Sequence, residues 1–164
     1  MSVTDDLLAN ARRYAATYPG GGPHAPAKPV VLVTCMDARF VPGLVFGLHE
    51  GDAHVLRNAG GVVTDDVIRS VAVSQHRLGT REILLVHHTD CGMRTFSDEE
   101  FAAQLEELAG RRPDWSARTI RDTDEAVRQS LRRLRGSPFL RHRDHVRGFV
   151  WDVHTADLRE VVVP

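Results

Sequence analysis

Two uninterrupted apolar runs frame the chain. Val30-Val31-Leu32-Val33-Thr34 is one; Ile83-Leu84-Leu85-Val86, inside Glu82–His88, is the other. Both have strand length and no alternation, which suits parallel strands covered on both faces. Ala53–Arg57 is a shorter strand candidate, and Val146–Val153 and Leu158–Val163 form a final pair around a turn at Thr155–Asp157. Helical spacing fills the intervals. Residues 2–18 place Leu7, Leu8, Ala11, Tyr14 and Ala15 on one face, with Thr4 or Asp5 as cap. Thr64–Leu78 carries Asp65 and Asp66 at its positive end and turns Val67, Ile68, Val71 and Ala72 inward. Ser97–Glu100 fits a capping box followed by Phe101, Leu105 and Leu108. Asp122–Glu125 fits another, followed by Val127, Leu131 and Leu134, with Gly136 as a stop.

Strands alternating with helices predict an α/β fold: a mainly parallel β-sheet flanked by helices, with antiparallel strands at an edge. Residues 19–29 are dominated by Gly and Pro and read as loop. This one linker-like stretch lies too near the start to separate two domains. The expectation is a single domain over residues 1–164, with residues 1–28 as an N-terminal helix-and-loop arm that packs elsewhere.

Composition narrows the partners. The formal net charge is -1, which gives no pull toward nucleic acid or an anionic membrane. Lys28 is the only lysine, and acidic residues accompany the arginines along the chain. No stretch approaches the roughly 18–20 apolar residues of a membrane span. Met1–Asp6 lacks the basic start of a signal peptide, so the expected location is the cytoplasm. Cys35 and Cys91 are the only cysteines; in a reducing compartment such residues are ligands, nucleophiles or buried fillers more often than a disulfide.

Chemistry concentrates just after the two clearest strands, in Cys35-Met36-Asp37-Ala38-Arg39 and in His88-Thr89-Asp90-Cys91-Gly92. Carboxyl ends of parallel strands share one edge, where ligands gather. In extended chain Cys35, Asp37 and Arg39 point to one side, and Arg39 can pair with Asp37 in bidentate fashion. A turn would let His88 and Cys91 converge, with Gly92 permitting close backbone approach. Two thiolates and an imidazole suit Zn²⁺. With an open fourth position the site is catalytic; with Asp37 as fourth ligand it is closed. Arg39 decides between these by holding Asp37 away. The competing readings are buried hydrophobic cysteines, a Cys35 nucleophile with His88 as base, and a thiol redox pair. His49, His54, His76 and His87 could carry protons, but spacing places none of them.

The segments Cys35–Arg39, Arg57-Asn58-Ala59-Gly60-Gly61 and His87–Met93, in this order and separation, resemble the three signature segments of the β-class carbonic anhydrases. Val63–Ser70 and the Val127–Arg133 helix resemble the short actinobacterial members. The resemblance implies zinc bound by Cys35, His88 and Cys91, a gating pair of Asp37 and Arg39, and a dimer or a tetramer of dimers with the first helix laid over the partner. It implies reversible hydration of CO₂ to bicarbonate: zinc lowers the pKa of its water toward about 7, and the hydroxide attacks carbon. A hydrolase of carbonyl sulfide or carbon disulfide is the alternative at the same site. A non-catalytic zinc protein is a third reading, which Arg39 argues against.

Overall fold

The computed structural model describes residues 2–163. Among the described residues five strands form one sheet: β1 (Val30–Cys35), β2 (His54–Asn58), β3 (Glu82–His88), β4 (Val146–Trp151) and β5 (Leu158–Val161), in the order β2-β1-β3-β4-β5. β2, β1, β3 and β4 are parallel, and β5 runs antiparallel to β4 at the edge, as the apolar pattern predicted. From β1 the chain moves to β2 on one side and then to β3 on the other. The carboxyl ends of β1 and β3 therefore flank the switch point, where open α/β sheets bind ligands.

Helix α3 (Asp65–Leu78) and helix α5 (Thr123–Gly136) belong to the core on one face of the sheet. There Val31, Val33, Ile83, Leu85, Val146 and Val150 meet Val67 and Val71 of α3 and Val127, Leu131 and Leu134 of α5. Gly148 of β4 is required by this packing. A Cβ on it would lie 2.6 Å from Val127 Cγ1 and 2.9 Å from Leu131 Cδ1. The opposite parity of the strands puts Leu32, Val86 and Trp151 on the second face, with Phe40 packed at 5.0 Å against the Trp151 ring. That face has thinner cover. The short helix α2 (Pro42–Phe46) lies near it, and its Leu44 is 83% exposed.

Helix α1 (Val3–Ala15) buries no residue; Leu7, Leu8 and Tyr14 of its apolar stripe face solvent. The arm therefore forms and is tied to the chain by the Tyr14 hydroxyl, which donates to the Glu50 carboxylate, but among the described residues its apolar stripe stays uncovered. Its cap is Ser2 rather than Thr4 or Asp5. Asp5 instead completes a capping box from the third helical position. The helix ends short of residue 18 because Pro19 disfavours the helical conformation in the residue before it. α2 was not foreseen, being too short to show a period. Helix α4 (Asp98–Ala109) starts with the expected Ser97–Glu100 box. α5 has half of one: Asp122 accepts from the Glu125 amide, but the Glu125 carboxylate turns to Arg132. β4 stops at Trp151, before the expected Val153, because Asp152 accepts the amides of His154 and Thr155 and bends the chain.

Candidate metal centre

β1 ends at Cys35, and the chain then turns. The Arg39 amide donates to Asp37 Oδ1 at 2.9 Å, a local turn closed by the aspartate itself. The sequence expectation of an extended Cys35–Arg39 segment is corrected here. The three side chains gather because of this turn, not because of strand alternation. Arg57 of β2 fixes the outer side of the same segment, donating to the Cys35 carbonyl at 2.9 Å and to the Asp37 carbonyl at 2.6 Å. Beneath it Gly61 has φ of +67°, and a Cβ there would lie 2.7 Å from the Cys35 amide nitrogen. Close approach thus explains Gly61. It does not explain Gly92, which would meet nothing within 4 Å.

β3 ends at His88. Asp90 adopts φ of +51°, and the resulting turn brings Cys91 back to the strand end. Cys35, His88 and Cys91 are all buried, and one ligand atom from each lies within 4.8 Å of the others. The two sulfurs are 3.9 Å apart. The spacing of the sequence thus brings together the three residues it singled out, although they come from two strand ends.

Hydrogen bonding sets the histidine tautomer. Nδ1 of His88 lies 2.8 Å from the Thr89 carbonyl oxygen, which can only accept, so Nδ1 carries the proton. Nε2 is left with a lone pair. It is buried and has no hydrogen-bond partner; the nearest carboxylate oxygen, Asp37 Oδ2, is 3.7 Å away. An orphaned buried acceptor beside two thiols is the arrangement a thiophilic cation satisfies.

The electrostatics agree. The sulfurs share a proton: a hydrogen bond from Cys91 pulls the Cys35 thiol down to about 4, and the same bond drives Cys91 far upward. The first proton leaves easily and the second is retained, unless a cation enters. The amides of Asp37 and Gly60 point to the Cys35 sulfur and that of Met93 to the Cys91 sulfur. Asp37 is held at about 2, chiefly by the Arg39 side chain. Arg39 Nε and Nη2 reach Asp37 Oδ1 and Oδ2 at 3.0 and 2.8 Å, the bidentate pair expected. For His88, burial opposes the charged form, but the nearby Cys35 sulfur, the Thr89 carbonyl and the Asp37 charge outweigh it and the value rises.

A cavity of about 640 Å³ opens beside these groups. Its wall is mainly apolar and includes Val62, Met93, Phe96, Phe101, Trp115 and Ala117. Sequence reasoning missed this wall. Trp115 and Ala117 lie in an irregular segment after α4, where no periodicity marks an inward side. The other histidines stand apart. His54 meets Ser74 Oγ at 2.7 Å, and His76 meets the Phe139 carbonyl at 3.0 Å. His87 is sealed in the core without a partner for either ring nitrogen.

Comparison with known proteins matches residues 30–158 to the family model described as carbonic anhydrase. Beta-carbonic anhydrase 1 of Mycobacterium tuberculosis is 53% identical over 161 residues, spanning 98% of this chain and 99% of that protein. Carbon disulfide hydrolase of an Acidianus species is 33% identical over 153 residues, 79% of this chain and 75% of that protein. The crystal structure of carbonic anhydrase from Streptococcus mutans superposes with a TM-score of 0.90 at 41% identity, covering 99% of each chain. With its sheet, its switch-point site and these matches in agreement, the chain belongs to the β-carbonic anhydrase family.

Proposed function

We propose that this protein catalyses the reversible hydration of CO₂ to bicarbonate and a proton at a zinc ion held by Cys35, His88 and Cys91. The observation that carries the reading is the orphaned His88 Nε2, buried beside two thiols that cannot both ionise unaided. Zinc bound there supplies a Lewis acid that lowers the pKa of water to about 7. The side chains do the rest. Thr89 fixes the imidazole so that Nε2 faces inward. Arg39 keeps Asp37 ionised and holds its carboxylate in place, where its free lone pairs would accept a hydrogen bond from a water beside the centre and orient it. The apolar wall admits an uncharged, linear substrate and gives charged product little to hold. Support for CO₂ as substrate comes from the 53% identical relative.

The test is stopped-flow CO₂ hydration against pH, with metal content measured on the same sample. Expected are one zinc per chain and activity rising through the neutral-to-alkaline range, about pH 6 to 9, where metal-bound water titrates. A metal-free active protein, or a flat profile, overturns the reading. Arg39→Ala should abolish turnover while zinc stays bound; unchanged turnover removes the gating role of the pair.

A second reading, hydrolysis of carbon disulfide or carbonyl sulfide, is favoured by the apolar wall and by the 33% identical hydrolase. It keeps the same ligands. Turnover of CO₂ and of carbonyl sulfide by one preparation separates the two. Self-association belongs to the proposal as well. The solvent-facing apolar stripe of α1 and the exposed Leu44 fit a homodimer, alone or paired into a tetramer, in the cytoplasm.

A further inference from the structure

The Arg39 guanidinium is held on two edges. One edge meets Asp37. On the other, Nη1 donates to Asp90 Oδ2 at 2.8 Å and Nη2 donates to the Asp90 main-chain oxygen at 2.8 Å. Asp90 reaches this position at φ of +51°, a region that Asp and Asn tolerate better than other side-chain-bearing residues. One residue thus presents both its carbonyl and its carboxylate to the same guanidinium.

The second edge matters because Arg39 is not enclosed. Its side chain is 45% exposed. A half-exposed arginine paired with one carboxylate gains little and keeps much of its rotamer freedom. A guanidinium bonded on both sides is a fixed strut. Asp37 needs such a strut, since Oδ2 lies only 3.7 Å from the orphaned His88 Nε2.

We propose that Asp90 is a positioning residue: by anchoring the outer edge of Arg39 it keeps Asp37 off the Cys35–His88–Cys91 centre, and its loss lets Asp37 close onto the metal. This inference rests on the metal-centre reading above. It predicts that Asp90 acts only through Asp37.

The experiment uses the full chain loaded with cobalt(II), titrated with azide and followed by visible absorption. Azide needs an open fourth position, so its affinity reports how far Asp37 has closed. Asp90→Ala should weaken azide binding roughly tenfold, the lower end for loss of an outer hydrogen-bond partner. Asp90→Gly, which removes the carboxylate without backbone strain, should do the same. Asp90→Asn keeps an acceptor oxygen and tolerance of the left-handed region, and should stay close to the unsubstituted protein. In an Asp37→Ala background, adding Asp90→Ala should change nothing. Asp90→Ala and Asp90→Gly proteins that bind azide as tightly as the unsubstituted protein overturn the proposal. So does an equal weakening in the Asp37→Ala background. If the unsubstituted cobalt protein takes up no azide, the metal-centre reading falls and this inference with it.

Discussion

The two faces of the sheet are built to different standards of self-sufficiency. On the α3/α5 face, Val31, Val33, Leu85 and Val71 are at most 1% exposed and fourteen buried side chains form one cluster, with Leu56, Ile68, Ala72 and Val163 partly covered at its margin. On the other face Leu32, Phe40 and Val86 are equally buried, but Leu84 and Phe149 are only partly covered and Leu44 is bare. Aliphatic helix residues close the first face within the chain. The second is left for something to complete. The difference teaches where stability resides and where the proposed self-association would draw on the fold: the first face carries most of the buried core, and the second offers a surface.

Breaking the closed face should have the largest consequence. Leu131→Ala removes a fully buried side chain that packs under β4, and should lower unfolding free energy by about 2–5 kcal/mol in urea titrations. A loss below about 1 kcal/mol would mean that the α3/α5 face is not the stabilising one.

Acid probes the same face through His87, which shares the strand parity of Ile83 and Leu85. Burial pushes its value down to about 4. The unfolded chain takes up a proton near the ordinary histidine value of about 6.5, before the folded chain does. Stability should therefore be intact above about pH 6.5 and fall as pH drops toward 4, by about 3 kcal/mol. His87→Leu should flatten that part of the pH–stability curve relative to the unsubstituted protein. Parallel curves for the two proteins would remove His87 as the cause.

The open face should respond least within one chain and most between chains. Leu44→Asp alters an exposed position and should leave single-chain stability within about 0.5 kcal/mol. Sedimentation velocity should nonetheless show a smaller species. An unchanged sedimentation coefficient, with unchanged unfolding, would show that this part of the face is not an interface.

Much of this was legible in the sequence, for reasons that differ by residue. β1 and β3 announced themselves because a doubly covered strand has no polar alternation. His88 and Cys91 could be paired because three residues make one turn. Cys35, Asp37 and Arg39 were grouped correctly on an incorrect geometry, since a short turn closed by Asp37 and a strand can both bring i, i+2 and i+4 together. The apolar stripe of α1 and its place outside the core were both readable, since the Gly/Pro-rich loop at residues 19–29 separates it from the first core strand, whereas a stripe does not say which molecule covers it. Phe96, Trp115 and Ala117 line the cavity from irregular segments, and only the folded chain shows which way such residues face. Gly61 and Gly92 looked interchangeable as letters, yet only one supports a close backbone approach.

The amides directed at the two sulfurs carry a further consequence. Backbone hydrogen bonds from Asp37 and Gly60 to Cys35 and from Met93 to Cys91 favour the thiolate forms, and in a doubly ionised pair they would draw electron density from the sulfurs. A thiolate so depleted is a weaker donor. Two full-strength thiolates would quench most of a dication's charge, leaving a poor Lewis acid. With its sulfurs muted by the backbone, a centre of this kind could be rich in thiolate and still leave a bound cation electrophilic.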